Sequence, residues 1–212
     1  GPRLLVRRGG DVANTRAALA GLLRDAAERA HVSGVHVNFT TAEDQAALEA
    51  EGFLRRHDCR FLWRNRGYRD FEDFLDGFRA DKRKKTRRER RRVAESGVEF
   101  RSLAGHEVPG ELWRTIFAFT ERTFLRHGNA HYLSPEFLER VAHRMPGAIT
   151  VKLAERDGEA IAAAIFFQGG GSLYGRYWGA AGHEDSLHFE ACYYQGIEHC
   201  IAHGLETFDP GT

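Results

Sequence analysis

The hydrophobic positions of residues 1–66 predict a helix, a strand, a second helix and a second strand. Apolar residues recur at helical spacing from Thr15 to Ala30, and the alternation from Val35 to Phe39 is typical of a half-buried strand. Thr40 or Thr41 is expected to cap the second helix. The stretch from Phe53 to Trp63 predicts the second strand.

Residues 67–97 predict a basic connecting helix with an incomplete apolar stripe. Phe71, Leu75 and Phe78 share one helical face, and the same face then carries Lys82 and Lys85 where apolar residues would continue it. Two interpretations are open. Either the helix leaves the body for solvent, or its inner face lines a polar cleft in which the two lysines meet a negative ligand.

Residues 98–212 predict a longer α/β unit. A short strand is followed by two helices, the second opened by Ser134 as N-cap and Pro135 at the first position. Three strands then form an antiparallel meander, and a helix capped by Asp185 or Ser186 leads to a last strand. The predicted elements are strand 98–103, helix 112–125, strands 148–155, 160–167 and 172–180, a helix to His203, and strand 205–209.

The composition is that of a globular protein, with 42% hydrophobic and 29% charged residues. No apolar run approaches the roughly 20 residues that span a bilayer, and no basic-then-apolar leader opens the chain. An odd number of cysteines, 3, makes a disulfide framework unexpected. We therefore expect a cytoplasmic protein without a membrane span.

The formal net charge of +1 hides a local concentration of positive charge. Between Lys82 and Arg92 there are nine basic residues and one glutamate. Such a cluster can bind the phosphates of RNA, of a nucleotide cofactor or of a lipid head group. It can equally be a solvated helix face.

Several local strings resemble one family. Together they are similar to the bacterial N-acyltransferases predicted as FemAB-like, or peptidoglycan biosynthesis/recognition, proteins. The strings are Gly1–Leu5, Gly52–Asn65, Lys84–Arg90, Gly175–Gly179, His188–Tyr194 and Phe208–Gly211.

The resemblance implies an α/β fold with a mixed sheet of the GNAT acyltransferase type, with two such units in tandem. Residues 1–66 would be the closing half of a first unit, 67–97 the basic connecting helix, and 98–212 a second unit incomplete at its C-terminal end. Relative to this family the chain is expected to be clipped at both ends.

The resemblance also implies transfer of an acyl or aminoacyl group to the amine of a small molecule or peptide. The activated donor would be an acyl-coenzyme A or, alternatively, an aminoacyl-tRNA. GNAT enzymes present a glycine-rich turn to the coenzyme A pyrophosphate, whereas Gly182–Ser186 has one glycine and two acids.

The strand at 172–180 is the expected substrate groove. Alternation places Tyr174, Arg176 and Trp178 on one face, and the glycines between them permit close backbone approach. Arg176 suits a carboxylate or phosphate, and Tyr177 or Trp178 suits an acyl chain. The alternative is ordinary packing of a sheet face.

The helix after this strand supplies the candidate bases. His188 and Glu190 can each accept a proton from an amine, and Tyr193 and Tyr194 beside them are expected to bind substrate. Asp209 at the end of the last strand can orient the acceptor amine, although Asp-Pro-Gly is also ordinary turn chemistry. No metal site is predicted, because the His199 and His203 pair lacks a third ligand.

Two functions follow. In the first, an N-acyltransferase uses its basic helix to bind phosphates of the donor or acceptor through Lys82, Lys85, Arg87 and Arg88. In the second, a nucleic-acid or phosphate binding module occupies an inactive acyltransferase scaffold, with RNA contacted through residues 82–92. The second lacks aromatic residues interleaved with the basic ones.

Overall fold

A computed structural model describes residues 1–7 and 9–211 of the chain. They divide into two compact units, with the boundary between Cys59 and Arg60. The boundary falls before residue 66, since strand β1 (Trp63–Arg64) pairs with a strand of the second unit. Within the described ranges, no helix has both the length and the apolar character to cross a membrane.

The first unit contains helices α1 (Val12–Arg29) and α2 (Ala42–Ala50). Thr41 caps α2 by accepting a hydrogen bond from the backbone N–H of Asp44, which confirms the predicted cap. The Asp44 carboxylate is itself fully buried, and it accepts hydrogen bonds from the backbone of Arg3 and from the Arg16 side chain.

Two strand predictions in this part of the chain were wrong. Residues 35–39 are not a strand, and of the stretch 53–63 only Trp63 belongs to one. An extended segment needs a neighbouring strand for its N–H and C=O groups. The described residues of the first unit contain no such strand, so the correct side-chain alternation is not sufficient.

The described residues of the second unit form a six-stranded mixed sheet in the order β1-β6-β5-β4-β3-β2. All neighbours are antiparallel except β5 and β6, which are parallel. The predicted meander is therefore confirmed. The remaining strands are β2 (Glu99–Ala104), β3 (Ile149–Arg156), β4 (Glu159–Gly169), β5 (Ser172–Ala180) and β6 (Thr207–Asp209).

Helices cover both faces of this sheet. On one face, α5 (Gly110–Arg126) and α6 (Pro135–Arg144) bury Trp113, Ile116 and Leu138 against β3 and β4. Ser134 caps α6, as its sequence predicted. On the other face, α3 (Phe71–Asp76) and the helix before β6 enclose a second core that includes Leu75 and Phe208. Strand β3 is consequently buried on both sides along most of its length.

The basic helix differs from its prediction. The stripe beginning at Phe71 runs through two helices, since α3 ends at Gly77 and α4 (Ala80–Glu95) starts after Arg79. The α4 helix does not leave for solvent, because it is part of the second unit and buries Thr86 and Val93, the latter in a core with Ala154 and Ala162 of the sheet. The predicted departure into solvent was therefore wrong, although Lys82 and Lys85 remain exposed on the packed helix.

The helix predicted from Asp185 or Ser186 to His203 is interrupted. It consists of a turn, α7 (Leu187–Phe189), a π-helical turn (Glu190–Tyr194) and α8 (Gln195–Ala202). Ser186 precedes α7 with φ of +66° and makes no side-chain cap, so the predicted cap was wrong. A π-turn inserts one extra residue and so changes which side chains face the sheet.

Candidate functional site

A bulge separates the two central strands of the sheet. The pairing of β4 with β5 shifts between Ile165 and Phe166, which leaves Arg176 as the extra residue of β5. As a result, Leu173 and Trp178 face the same core, although they are five positions apart and would lie on opposite faces of a regular strand. The predicted grouping of Tyr174, Arg176 and Trp178 on one face was therefore wrong.

A cavity of about 420 Å³ lies at this bulge. Its walls come from β4, β5, the C-terminal half of α5, the α7 and π-helical turns, and Pro210-Gly211. Five predicted site residues line it together, along with the cysteine of the π-turn: Arg176, Tyr177, Trp178, His188, Tyr193 and Cys192.

Two glycines of β5 allow the close packing around this cavity, as the sequence predicted. A Cβ atom on Gly175 would lie 2.6 Å from the carbonyl oxygen of Pro210. One on Gly179 would lie 2.0 Å from the backbone carbon of Phe119 in α5. Both neighbours are backbone, which cannot move aside as a flexible side chain can.

His188 is the candidate base in the cavity. Its ring makes edge contacts with Trp178 and Tyr193 at centroid distances of 5.5 and 5.9 Å. Burial among these rings lowers the pKa of His188 from its ordinary 6.5. The imidazole is consequently neutral at pH 7 and able to accept a proton.

Arg176 lies in an aromatic cluster that the sequence did not reveal. Its guanidinium donates to the hydroxyl of Tyr132 and lies 5.0 Å from the centre of the Tyr177 ring. The Tyr177 hydroxyl donates to the same Tyr132 oxygen at 3.1 Å, and burial raises the pKa of Tyr177. Tyr132 and its neighbour His131 precede α6 in a loop, where only their aromatic character could have indicated a role.

Glu190 is separated from His188 by the geometry of the π-turn. It is buried outside the cavity and accepts hydrogen bonds from Arg90 at 3.0 and 3.1 Å and from Gln195 at 2.9 Å. Arg90 also donates to Glu198 at 2.9 Å. The Glu190 carboxylate is thus engaged by these side chains and does not line the cavity with His188.

Asp209 is buried beside the cavity and does not line it. Its carboxylate accepts from Arg60 Nε at 2.9 Å and from the backbone N–H of Gly211 at 3.1 Å. The second bond fixes the Pro210-Gly211 turn that forms one wall. The structure thus places Asp209 where it shapes the cavity.

Cys192 is the only thiol that lines the cavity within the described part of the chain. Burial raises the pKa of Cys192, so the thiol stays protonated at neutral pH. A buried, protonated thiol is a poor nucleophile.

The basic residues of α4 divide between two faces. Arginines 83, 87 and 90 form ion pairs with carboxylates, and the Arg87 partner is Glu72. Lys82 and Lys85 line a separate groove together with Tyr194, and Lys85 lies 3.6 Å from Glu89 of the same helix. Of the four predicted phosphate ligands, Arg87 is therefore engaged by the fold and Arg88 is exposed outside this groove.

The sequence profile of the FemAB-like family, described as peptidoglycan biosynthesis/recognition, matches residues 1–212. The chain belongs to this family. The predicted resemblance is thereby confirmed over the whole length of the chain. No curated protein matches the sequence.

Three solved structures are similar to this FemAB-like chain. FemX shares 15% identity, with 94% of this chain and 68% of FemX covered at a TM-score of 0.54. A conserved protein of unknown function from Bacteroides thetaiotaomicron shares 15% identity, with 95% and 66% covered at 0.46. The C-terminal domain of a protein named as a lysylphosphatidylglycerol synthetase, from Agrobacterium fabrum, shares 16%, with 64% and 43% covered at 0.46.

The chain spans less than half of the Agrobacterium domain structure and about two thirds of the other two. The likeness to FemX establishes the fold, so the mixed α/β architecture expected for a FemAB-like protein is confirmed. Across the described residues, no three His, Cys, Asp or Glu side chains are grouped as metal ligands.

Proposed function

We propose that this FemAB-like chain carries the reaction centre of an N-acyltransferase that moves an acyl or aminoacyl group from an activated donor to an amine. The observation that carries the proposal is the neutral His188 in an aromatic-walled cavity at the β4–β5 bulge. Membership of a family described by peptidoglycan biosynthesis/recognition makes an amine of a peptidoglycan precursor the proposed acceptor.

In the proposed reaction the acceptor nitrogen attacks the carbonyl carbon of the donor ester or thioester. The new C–N bond forms as the carbonyl oxygen becomes an oxyanion, and His188 accepts the proton that the nitrogen loses. The oxyanion then re-forms the carbonyl and expels the alkoxide or thiolate, to which the imidazolium can return the proton. No covalent enzyme intermediate is required.

Arg176 supplies positive charge near this centre. Arg176 is exposed at the bulge, with its guanidinium 5.0 Å from the centre of the Tyr177 ring, and a carboxylate, phosphate or developing oxyanion would be attracted to it. The Tyr132 hydroxyl accepts from both Arg176 and Tyr177, so its own proton is directed elsewhere and is available to a substrate oxygen.

The donor is proposed as an aminoacyl ester, with an acyl thioester as the alternative. The loop at Gly182–Ser186 carries two acids, and Glu184 is held by Arg156 at 2.9 Å. A pyrophosphate placed against these carboxylates would be repelled. This argues against the usual coenzyme A position and leaves the tRNA-borne aminoacyl group as the favoured donor.

The decisive experiment measures transfer to amine acceptors from two donor sets, aminoacylated RNA and acyl-coenzyme A. His188→Gln is expected to lower kcat by about 10² to 10⁴-fold with little change in KM, because a general base acts in the transition state.

His183→Gln is the matched control. His183 lies in the preceding loop and is exposed, paired only with Asp185. Equal activity of the His188 variant and the wild-type protein would contradict the proposed mechanism. Activity lost in both histidine variants would also contradict it, because the effect would not be specific to the cavity.

A further inference from the structure

A second concave surface lies on the α4 helix, outside the cavity. This α4 groove has a volume of about 400 Å³. That volume is within the range of about 300 to 1,000 Å³ common for small-ligand sites. Its walls come from the start of α4, the segment before it, and the α7 and π-helical turns.

The groove retains positive charge that the fold does not neutralise. Arg79 and Lys82 make no ion pair with any described residue, and Lys85 lies 3.6 Å from Glu89. Glu89 also accepts a hydrogen bond from the Tyr194 hydroxyl at 2.6 Å. The groove therefore holds three cations and one carboxylate, and that carboxylate is already paired with Lys85 and Tyr194.

Two arginines on the opposite side of α4 are neutralised by carboxylates of the second unit. There, Arg87 donates to Glu72 at 2.6 Å, and Arg90 holds Glu190 and Glu198. These arginines attach α4 to α3, to the π-helical turn and to α8, all within the second unit. The groove-facing residues do not serve that purpose, and they remain available to an anionic ligand.

Aromatic rings stand beside the cations. Phe189 is 51% exposed, an unusual state for a phenylalanine next to a buried core. Tyr194 and Phe78 form further parts of the wall. Rings of this kind stack on the flat face of a nucleobase, which inorganic phosphate or a lipid head group does not have.

The N-terminus of α4 adds to the positive electrostatic potential of the groove. Arg79 occupies the N-cap position without a side-chain hydrogen bond to the first turn. The first backbone N–H groups of this 16-residue helix thus lack a side-chain partner among the described residues, at the helix end where the dipole favours anions.

The groove and the cavity share one short segment of chain. Phe189 and Tyr194 line the groove, whereas His188, Cys192 and Tyr193 line the cavity. Tyr193 and Tyr194 are adjacent in the π-helical turn and line different concave surfaces. A ligand seated in the groove can therefore extend across this segment towards His188.

We propose that the α4 groove binds a phosphate-bearing nucleotide, which forms the nucleotide portion of one of the two substrates. Lys82 and Lys85 contact phosphate, and Phe189 or Tyr194 stacks on the base. The use of the ligand in catalysis rests on the proposed transferase function, whereas nucleotide binding itself does not.

The test is calorimetric titration of the whole chain at low salt with nucleotide probes. Three probes represent the sources of such chemistry: adenosine 3′,5′-bisphosphate for coenzyme A, the trinucleotide CCA for the end of a tRNA, and uridine diphosphate for a nucleotide-linked acceptor. At least one is expected to bind, and the tightest identifies the source. Failure of all three to bind would overturn the proposal.

Charge reversal locates the site. Lys82→Glu combined with Lys85→Glu is expected to weaken binding by about ten- to hundredfold, as for loss of hydrogen bonds to a charged group. Lys84→Glu is the matched control, because Lys84 is exposed on another face of the same helix. An equal loss of nucleotide affinity in the control would mean that the net positive charge of α4 attracts the nucleotide, and the proposal of a defined site would be wrong.

The aromatic contribution is tested separately with Phe189→Leu. This variant keeps apolar volume but removes the stacking ring, so nucleotide affinity should fall by about five- to hundredfold while inorganic pyrophosphate binding is unchanged. If pyrophosphate binds the wild-type protein as tightly as every nucleotide, the groove is only a phosphate site and the proposal is wrong. Transfer activity that persists without nucleotide binding would overturn this inference alone.

Discussion

His188 and Glu190 are two residues apart and face opposite environments. His188 lies in the cavity, and no described residue forms a hydrogen bond with its ring, while Glu190 is enclosed by Arg90 and Gln195. Both residue types suit a general base. A polar residue whose hydrogen-bond partners are all supplied by the fold stabilises the structure. A polar residue that lacks such partners and lines a cavity is available to react.

The largest expected effect comes from removing the partner of Glu190. Arg90→Ala should lower the free energy of unfolding by about 3 to 5 kcal/mol, because it leaves the Glu190 carboxylate buried without its cation. Urea unfolding followed by tryptophan fluorescence measures it, and all three tryptophans, at 63, 113 and 178, belong to the second unit.

Glu198→Gln is the control for Arg90→Ala. Glu198 is more exposed than Glu190 and leaves Arg90 one anionic partner, so this change should cost clearly less. Equal losses in the two variants would show that the network has no special dependence on the buried carboxylate.

A second effect concerns His199, which resembles Glu190 in being buried with a hydrogen-bond partner from the fold. Burial, and then His203 and Lys152, lower the pKa of His199 to about 4, and its Nε2 lies 3.1 Å from the Gln168 side-chain oxygen. Between about pH 6.5 and pH 4 the unfolded chain binds the proton and the folded one does not. Stability should therefore fall with decreasing pH across this window, by up to about 3 kcal/mol from this residue.

Unfolding curves at several pH values test this dependence. In His199→Gln the slope between pH 6.5 and 4 should be smaller, although His131 and His188, whose pKa values burial also lowers, keep part of it. An unchanged slope would mean that His199 is not the main group that titrates on unfolding.

The smallest expected effect on stability comes from substituting His188, which lines the cavity. His188→Gln should change the free energy of unfolding by less than about 1 kcal/mol, since no described residue hydrogen-bonds to the ring and only aromatic contacts are lost. The same variant is expected to lose most of its transfer activity. A loss of stability as large as that of Arg90→Ala would show that His188 is a structural residue like Glu190, and the contrast between the two residues would be wrong.

Local sequence patterns predicted much of the second unit. Ser134 caps α6 through the backbone N–H of Phe137, as its sequence predicted. The strands at 148–155, 160–167 and 172–180 were placed within two residues of their observed bounds. These features depend on neighbouring residues in the chain, which the sequence displays directly.

Features that depend on distant partners were not predictable in the same way. The alternation at 35–39 is that of a strand, yet no described strand of the first unit pairs with it. The bulge at Arg176 exchanged the faces of β5, and Tyr132 reached Arg176 from a loop 44 residues away in sequence. Register and loop position are set by packing, which periodicity does not report.

The sequence by itself determined the family, the α/β class, the caps at Thr41 and Ser134, and the presence of a basic helix with an interrupted apolar stripe. Only the tertiary structure decided that Lys82 and Lys85 face a groove while Arg90 closes over Glu190, and that His188 remains open to a cavity. The physical reason is that a side chain's chemistry is intrinsic, whereas its partners and burial arise from residues about a hundred positions away.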